Sequence, residues 1–395
     1  MQILTINSGS SSIKFSVYDC AKGVESRLAV GMVNNIGMTG SESEFTVDSA
    51  GAASRKVYPG LPDHDAAIKV ILDWLKGGPY AESIAGVGHR VVHGGERFIA
   101  PSLVNTGLLE ELRRLRPLAP NHLPHEILAI ESIARFAPDI RQVACFDTSF
   151  HRAMPMEAQT YPLPEDLRKG GIVRYGFHGL SYEYIMSVLA GEAGSGAKTG
   201  RVIIAHLGHG ASMAAVKDGR CMDTSMGFTP SGGLVMSTRT GDLDPGIIIH
   251  LLTEKGMTIE EVNTLVYKRS GLLALSGASP NMRELLERSK TDPHAAMAVA
   301  IFCYQVRKFI GAYSAVLGGL DTLVFTAGIG ENAAYVRFAA CQGLEYLGVG
   351  IDPALNNKAA PVISKTGSNV TVRVIKTNEE LMVARHTSET LGMGG

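Results

Sequence analysis

Residues 2–6 run apolar into a short strand, and residues 13–18 alternate apolar and polar with a period of two. Between them lies a turn of serine and glycine within "NSGSSSIKF" (7–15). A second strand–turn–strand appears half a chain later: an apolar run at 202–205, the turn "HLGHGAS" (206–212) and "MAAVKDG" (213–219). Setting Asn7 against His206 aligns Gly9 with Gly208, Val17 with Val216 and Asp19 with Asp218. Two hairpins on one plan predict duplicated lobes with both turns pointing into one cleft. A third stretch, "LVFTAGIGEN" (323–332), predicts strand, loop and then a helix from Ala333, with Gly328 and Gly330 freeing the backbone at the helix start. Further strands are expected at 84–92, 141–146 and 371–375, and helical periodicity at 65–75, 107–115, 125–134, 181–189 and 295–317. Mixed strands and helices throughout give an α/β chain of two lobes. The boundary is expected just after Asp147, giving residues 1–150 plus 377–395 as one lobe and 151–376 as the other.

Composition narrows the class. The 395 residues, 45% hydrophobic and 19% charged, suffice for two to three ordinary domains. Net charge is −1, and no run of Lys and Arg reaches four, so no nucleic-acid footprint is expected. The longest continuous apolar runs are strand-sized and no secretory signal opens the chain, so no membrane segment is expected. The five cysteines stand singly with no Cys-x-x-Cys, which suits buried thiols in the cytoplasm. The Walker P-loop, the dinucleotide-binding glycine fingerprint and the hydrolase nucleophile elbow are all missing.

What remains is a set of hydroxyl and glycine turns with isolated cations at strand ends, a combination that suits a small phosphorylated ligand. The first turn reads as a plain tight turn or as a phosphate cradle. Arg90 in "GVGHRVVHGGE" and Arg239 in "STRTGDLDPG" read as surface ion pairs or as anion contacts. Asp147 either caps the next turn of chain or belongs to a site. His178 in "RYGFHGLSYEY" is a structural histidine ahead of a helix that Ser181 would cap, or a donor. Glu379 in "TNEELMVAR" lies at a helix start capped by Thr377 or Asn378, or touches a metal.

In order along the chain, "NSGSSSIKF", "GHRVVHGGE", "FDTSFH", "YGFHGLSY", "HLGHGAS", "TPSGGLVMSTRTGDLDPG", "FTAGIGEN" and "TNEEL" resemble the bacterial acetate kinases of the acetate/propionate kinase group. That group belongs to the sugar kinase, heat-shock ATPase and actin superfamily. The resemblance implies two ribonuclease H-like (actin-like ATPase) lobes around a nucleotide cleft, a homodimer, and ATP with acetate as substrates giving ADP and acetyl phosphate by direct in-line transfer. It implies Arg90, Asp147, His178 and Arg239 as catalytic residues, with Arg90 also on the carboxylate and Val92, Phe177 and Pro230 around the acyl methyl. Phosphate contacts would come from Ser10, Ser12 and Lys14, within a turn whose donors run from Ser8. Nucleotide contacts would come from His206, Leu207, Gly208, His209 and Gly210, then Asn281, Met282 and Arg283, then Gly328, Ile329, Gly330, Glu331 and Asn332. Asn7 and Glu379 match the positions associated with Mg²⁺, with Mn²⁺ as the other candidate.

Four positions depart from the pattern. His209 stands for a usual Asn, Asn281 for a usual Asp near the ribose, Ser237 for a usual Gly before Arg239, and Asn121 for an apolar pocket residue. The polar Asn121 keeps a propionate or other short-chain acyl kinase open as the alternative. A nucleotide-gated binding module is the reading from another class, and Arg90, Asp147, His178 and Arg239 argue against it.

Overall fold

The computed structural model describes residues 1–20, 25–49, 51–80 and 83–393. These form two compact units, Met1–Ser149 with Asn378–Gly395, and Phe150–Thr377.

In the first unit eight strands make one sheet: β1 Gln2–Ser8, β2 Ser12–Asp19, β3 Ser26–Asn34, β4 Ser43–Ser49, β5 Ala52–Tyr58, β6 Ile84–Val91, β7 Ser102–Leu103 and β8 Gln142–Phe146. Their order is β5-β4-β3-β2-β1-β6-β8-β7. The hairpin β1/β2 pairs Asn7 with Lys14, so both side chains leave the same face. On the opposite face Leu4, Ile6, Ile13, Phe15 and Val17 bury against Ile68, Ile71, Leu72 and Leu75 of the helix His64–Lys76. Asp63 caps that helix, accepting from the Ala66 N–H. The helix Glu379–Thr390 packs on β1, β6 and β8. It can approach β6 because Gly88 has no side chain: a Cβ there would fall 2.2 Å from Thr387 Oγ1.

The second unit holds a five-stranded sheet: β9 Arg201–Leu207, β10 Ala211–Lys217, β11 Arg220–Thr224, β12 Thr322–Thr326 and β13 Thr371–Val374, in the order β11-β10-β9-β12-β13. Its directions repeat those of β3-β2-β1-β6-β8: two antiparallel pairings, then two parallel ones. The duplicated plan inferred from two hairpins is therefore visible in both sheets. Val202, Ile204, Ala214, Val216 and Val324 bury against Tyr182, Ile185 and Met186 of the helix Gly179–Ala193.

Two expectations need correction. The helix expected from Ala333 is present at Ala334–Cys341, but the stretch before it is not a loop: Gly328 and Gly330 lie inside a short helix of their own, Ala327–Asn332. The buried Arg337 closes this short helix, donating to the carbonyls of Gly330 and Glu331 and to Asn356. Secondly, apolar runs are not all strand-sized. The helix Pro293–Leu317 is long and apolar enough to cross a membrane by length and composition, because Gln305, Arg307 and Lys308 interrupt the run without lowering its average enough. It packs on β9, β10 and β11 and buries Ala298, Val299, Phe302, Val306 and Tyr313, as a core helix does. All five cysteines are buried thiols outside any disulfide.

Candidate active site

Parallel strands end together, and the residues just past their carboxyl ends share one edge of a sheet, where ligands bind in α/β folds. In the first unit that edge carries Asn7 from β1, Arg90 from β6 and Asp147 from the residue after β8. The register pairs Ile6 with His89 and Arg90 with Cys145, and the Asp147 N–H bonds the Val91 carbonyl at 2.9 Å. Arg90 donates twice to Asp147, Nη2 to Oδ2 at 2.6 Å and Nε to Oδ1 at 3.2 Å. Its Nη1 donates to Asn7 Oδ1 at 3.3 Å, and Glu379 Oε2 lies 3.5 Å from Nε. Burial alone would depress the Arg90 guanidinium, but the charges of Asp147 and Glu379 outweigh it and hold the group firmly protonated. Glu379 opens the helix Glu379–Thr390, and Asn378 is its cap, accepting from the Leu381 N–H at 3.1 Å.

The corresponding edge of the second unit carries the turn after β9 and the helix after β12, with Thr326 in register with His206. His178 caps the helix Gly179–Ala193 in the left-handed region, φ 60° and ψ 25°, a conformation that costs such a residue roughly 1–2 kcal/mol. Its ring stacks on His206 with centroids 4.1 Å apart. Nδ1 of His178 bonds Ser212 Oγ at 2.8 Å, and Ser212 in turn bonds the Tyr182 hydroxyl. His206 Nδ1 bonds Ser181 Oγ at 2.8 Å, so Ser181 holds a histidine and does not cap the helix.

Arg239 approaches the same turn. A Cβ on Gly210 would lie 3.3 Å from His178 Nε2 and 3.5 Å from Arg239 Nη1, so the bare backbone there lies against both side chains. Backbone hydrogen bonds from Ser270, Leu272 and Leu273 to the carbonyls of Thr238, Met236 and Ser237 hold the Arg239 loop. Nη1 of Arg239 donates to the Pro230 carbonyl at 2.8 Å. Among the described residues no carboxylate pairs with it, and burial depresses its guanidinium. A half-buried cation with no carboxylate partner among the described residues is suited to an anion.

Beside this turn a cavity of about 630 Å³ is lined by Gly208, His209, Ser237, Asn281, Met282, Arg283, Gly328, Ile329 and Asn332 among others. Three separated stretches of chain thus converge on one pocket large enough for a nucleoside.

The acetokinase family model matches residues 2–385. The chain is 44% identical over 388 residues to an acetate kinase of Rhodopseudomonas palustris, covering 97% of both chains, and 43% identical over 402 residues to one of Streptomyces coelicolor, covering 100% of this chain and 98% of the other.

The chain belongs to the acetate kinase family.

It is accordingly a phosphotransferase with a carboxyl group as acceptor. Solved structures agree. The acetate kinase of Porphyromonas gingivalis superposes with a TM-score of 0.88 at 37% identity, covering 99% of each chain. A propionate kinase of Francisella tularensis superposes with a TM-score of 0.92, also at 37% identity, over 98% of this chain and 99% of that one.

In this acetate kinase family member, the positions named from sequence gather in separate groups. Asn7, Arg90, Asp147 and Glu379 form one hydrogen-bonded and ion-paired cluster in the first unit. His178, His206, Gly210 and Arg239 adjoin one another in the second. Asn281 caps the helix Met282–Arg288, its Oδ1 accepting from the Arg283 N–H, while Glu331 accepts from the Thr377 N–H. Leu207 is buried at the end of β9, and Gly330 packs against the Ala205 carbonyl. Val92 is buried in the first unit, and Phe177 and Pro230 in the second.

The first turn differs from expectation. The Ser8 hydroxyl donates to the His125 carbonyl and the Gly9 N–H to the Ser12 carbonyl, so neither is free for phosphate. His64 Nε2 lies 2.7 Å from the Gly9 carbonyl and fixes the turn from behind. Ser10 is exposed, Ser12 is half-buried, and Lys14 lines a groove over the sheet with Arg27, Arg55 and Glu380. No group of three or more His, Cys, Asp or Glu side chains among the described residues forms a metal cage. Asn7 and Glu379, the positions expected near a cation, both contact Arg90.

Sequence reasoning missed the partners. Ser212 and Tyr182 behind His178, Ser181 behind His206 and Glu126 behind Val92 are long-range pairings without a local signal.

Proposed function

We propose that the protein catalyses reversible, Mg²⁺-dependent phosphoryl transfer from ATP to acetate, giving ADP and acetyl phosphate. The carboxylate is already a competent nucleophile, and no general base is required. One acetate oxygen attacks the γ-phosphorus in line, the bond from that phosphorus to the β–γ bridging oxygen breaks, and ADP leaves with the electron pair. The obstacle is bringing two anions together, so catalysis is positioning plus charge compensation.

Arg90 meets the carboxylate through Nη1, the corner Asp147 leaves outside its two-point grip, while Asp147 fixes the plane of the guanidinium. Arg239 meets the γ-phosphoryl oxygens, and His178 donates to them from Nε2. The cavity beside Gly208 and Asn281 takes the adenosine. Mg²⁺, held through its waters by Asn7 and Glu379, would neutralise phosphate charge. Val92, Phe177 and Pro230 bound the acyl methyl, and a pocket of that kind separates homologues by only ~1–3 kcal/mol per methylene. Propionate is therefore a poorer but real substrate. The enzyme works as a homodimer.

The observation that carries this reading is the half-buried Arg239, with no carboxylate partner among the described residues, beside the turn next to the nucleoside-sized cavity. Trapping acyl phosphate as its hydroxamate, with ATP and acetate, propionate or butyrate in separate reactions, tests it. Hydroxamate appearing most efficiently from acetate supports the proposal, and none from any acid refutes it. A higher kcat/KM for propionate would make the chain a propionate kinase.

A further inference from the structure

Glu126 stands in the first turn of the helix Leu123–Phe136 and is 5% exposed. Its Oε2 accepts the Val92 N–H at 3.1 Å, and among the described residues no cation pairs with it. Val92 lies two residues past Arg90, and the intervening Val91 carbonyl receives the Asp147 N–H. Glu126 therefore fastens the short segment from which Arg90 projects. That segment is already crowded with negative charge, since Asp147 and Glu379 both press on one guanidinium. A third ionised carboxyl would leave the cluster with a net excess of two negative charges toward an incoming carboxylate. Accepting an N–H needs only one oxygen, and a neutral acid does it without adding charge.

We propose that Glu126 is a positioning residue working as an uncharged carboxylic acid: it fixes the Val92 backbone beside Arg90, and its ionisation weakens binding of the anionic acyl substrate. This rests on the reading of Arg90 as the carboxylate's partner. Burial pushes the Glu126 carboxyl up to about 8, with the Val92 N–H and Arg90 pulling it back and Asp147 adding to the rise. Elements packed on its helix bring further titratable groups. These are His64 and Asp65 from the helix His64–Lys76, Asp65 being tied to Ser132 and Arg135, and Glu111 from the helix Thr106–Leu115, tied to Arg114. His122 and His125 flank it on its own helix. The charges that act on it are those of Arg90 and Asp147.

The test is the pH dependence of KM for acetate, with KM for ATP measured alongside, on the full chain with Mg²⁺. Acetate is fully ionised throughout, so its own titration does not intrude. With a group titrating at about 8, KM for acetate rises about ten-fold from pH 7 to pH 9 while KM for ATP stays level. Glu126→Gln, which keeps an acceptor oxygen for Val92, reduces that rise to within about two-fold. A wild-type KM that is flat over this range overturns the proposal even if the variant does not fold, and so does a variant that keeps the wild-type profile. Arg90→Lys separates the two readings. If it raises KM for acetate at every pH while Glu126→Gln changes nothing, Glu126 alone loses its role. If it leaves KM unaltered, the Arg90 assignment falls.

Discussion

Asp147 grips Arg90 at two points, leaving the third guanidinium nitrogen to Asn7. The aspartate is 1% exposed, so the pair is removed from bulk water and its orientation is set by the strand ends that carry it. Asp147→Asn keeps the shape but removes the charge that balances Arg90. Turnover should fall by about 10²-fold or more, and the unfolding free energy by about 3–5 kcal/mol, as when one partner of a buried pair is lost. Steady-state kinetics and urea melting check both. Unchanged turnover with lowered stability would reduce Asp147 to a structural role.

Arg239 contrasts with Arg90 in having no carboxylate partner among the described residues, its Nη1 resting on the Pro230 carbonyl. Arg239→Ala therefore removes a half-buried cation and, on the proposed reading, a transition-state contact together. Turnover should drop by about 10³-fold or more while the calorimetric affinity for ATP changes by less than about ten-fold. Turnover near the wild-type value would take this residue out of the mechanism.

His178 meets Ser212, and Ser212 meets Tyr182. If Tyr182 donates to Ser212 and Ser212 to Nδ1, the proton of His178 sits on Nε2, the nitrogen beside Gly210. His178→Ala should lower kcat by about 10²–10³-fold, and Ser212→Ala, which frees the tautomer, by about ten-fold. ATP affinity should hold in both. Equal kcat in Ser212→Ala and wild type would dissolve this relay.

His89 and His151 are buried and neutral. Burial pushes each ring down from 6.5 to about 4, against opposing hydrogen bonds to Gln142 and to the Phe177 carbonyl. Between pH 6.5 and 4 the unfolded chain binds both protons and the folded chain refuses them. Their stabilising contribution is thus complete above 6.5 and lost on acidification. Glu126 has the opposite sign, since its raised folded value favours the folded state at low pH and that contribution fades from about 4.5 to 8. Two protons outweigh one once the unfolded histidines are charged, so from pH 6.5 to 5 stability should fall by about 1 kcal/mol in all. Urea titrations at pH 6.5, 6.0, 5.5 and 5.0 measure it, and a level or rising stability would contradict these burials.

Much of the fold was legible because two hairpins with the same plan announced a repeated sheet, and apolar periodicity placed the strands β1, β6, β8, β9 and β12 and the helices packed on them. The meander β3–β5 was not. β5 is almost wholly exposed and carries no alternation to read. The position of Arg90 and Asp147 at neighbouring strand ends could be guessed, but their bidentate geometry could not, because it depends on the register of β6 against β8. Ser8 illustrates the reverse: its hydroxyl looked free in the sequence and is spent on His125, a residue 117 positions away. Glu126 gave no signal because its partner is the backbone N–H of Val92, just past the end of β6 and 34 residues away in sequence.

If Arg90 and Arg239 compensate charge in one and the same transfer step, they must fail together. The direct measurement is kcat for acyl phosphate formation in Arg90→Ala, Arg239→Ala and the double variant, each checked for folding. Groups that act as a unit are strongly non-additive. The account predicts a double-variant loss little greater than the larger single loss. A double-variant loss equal to the product of the two single losses would mean that the arginines act independently, and would contradict it.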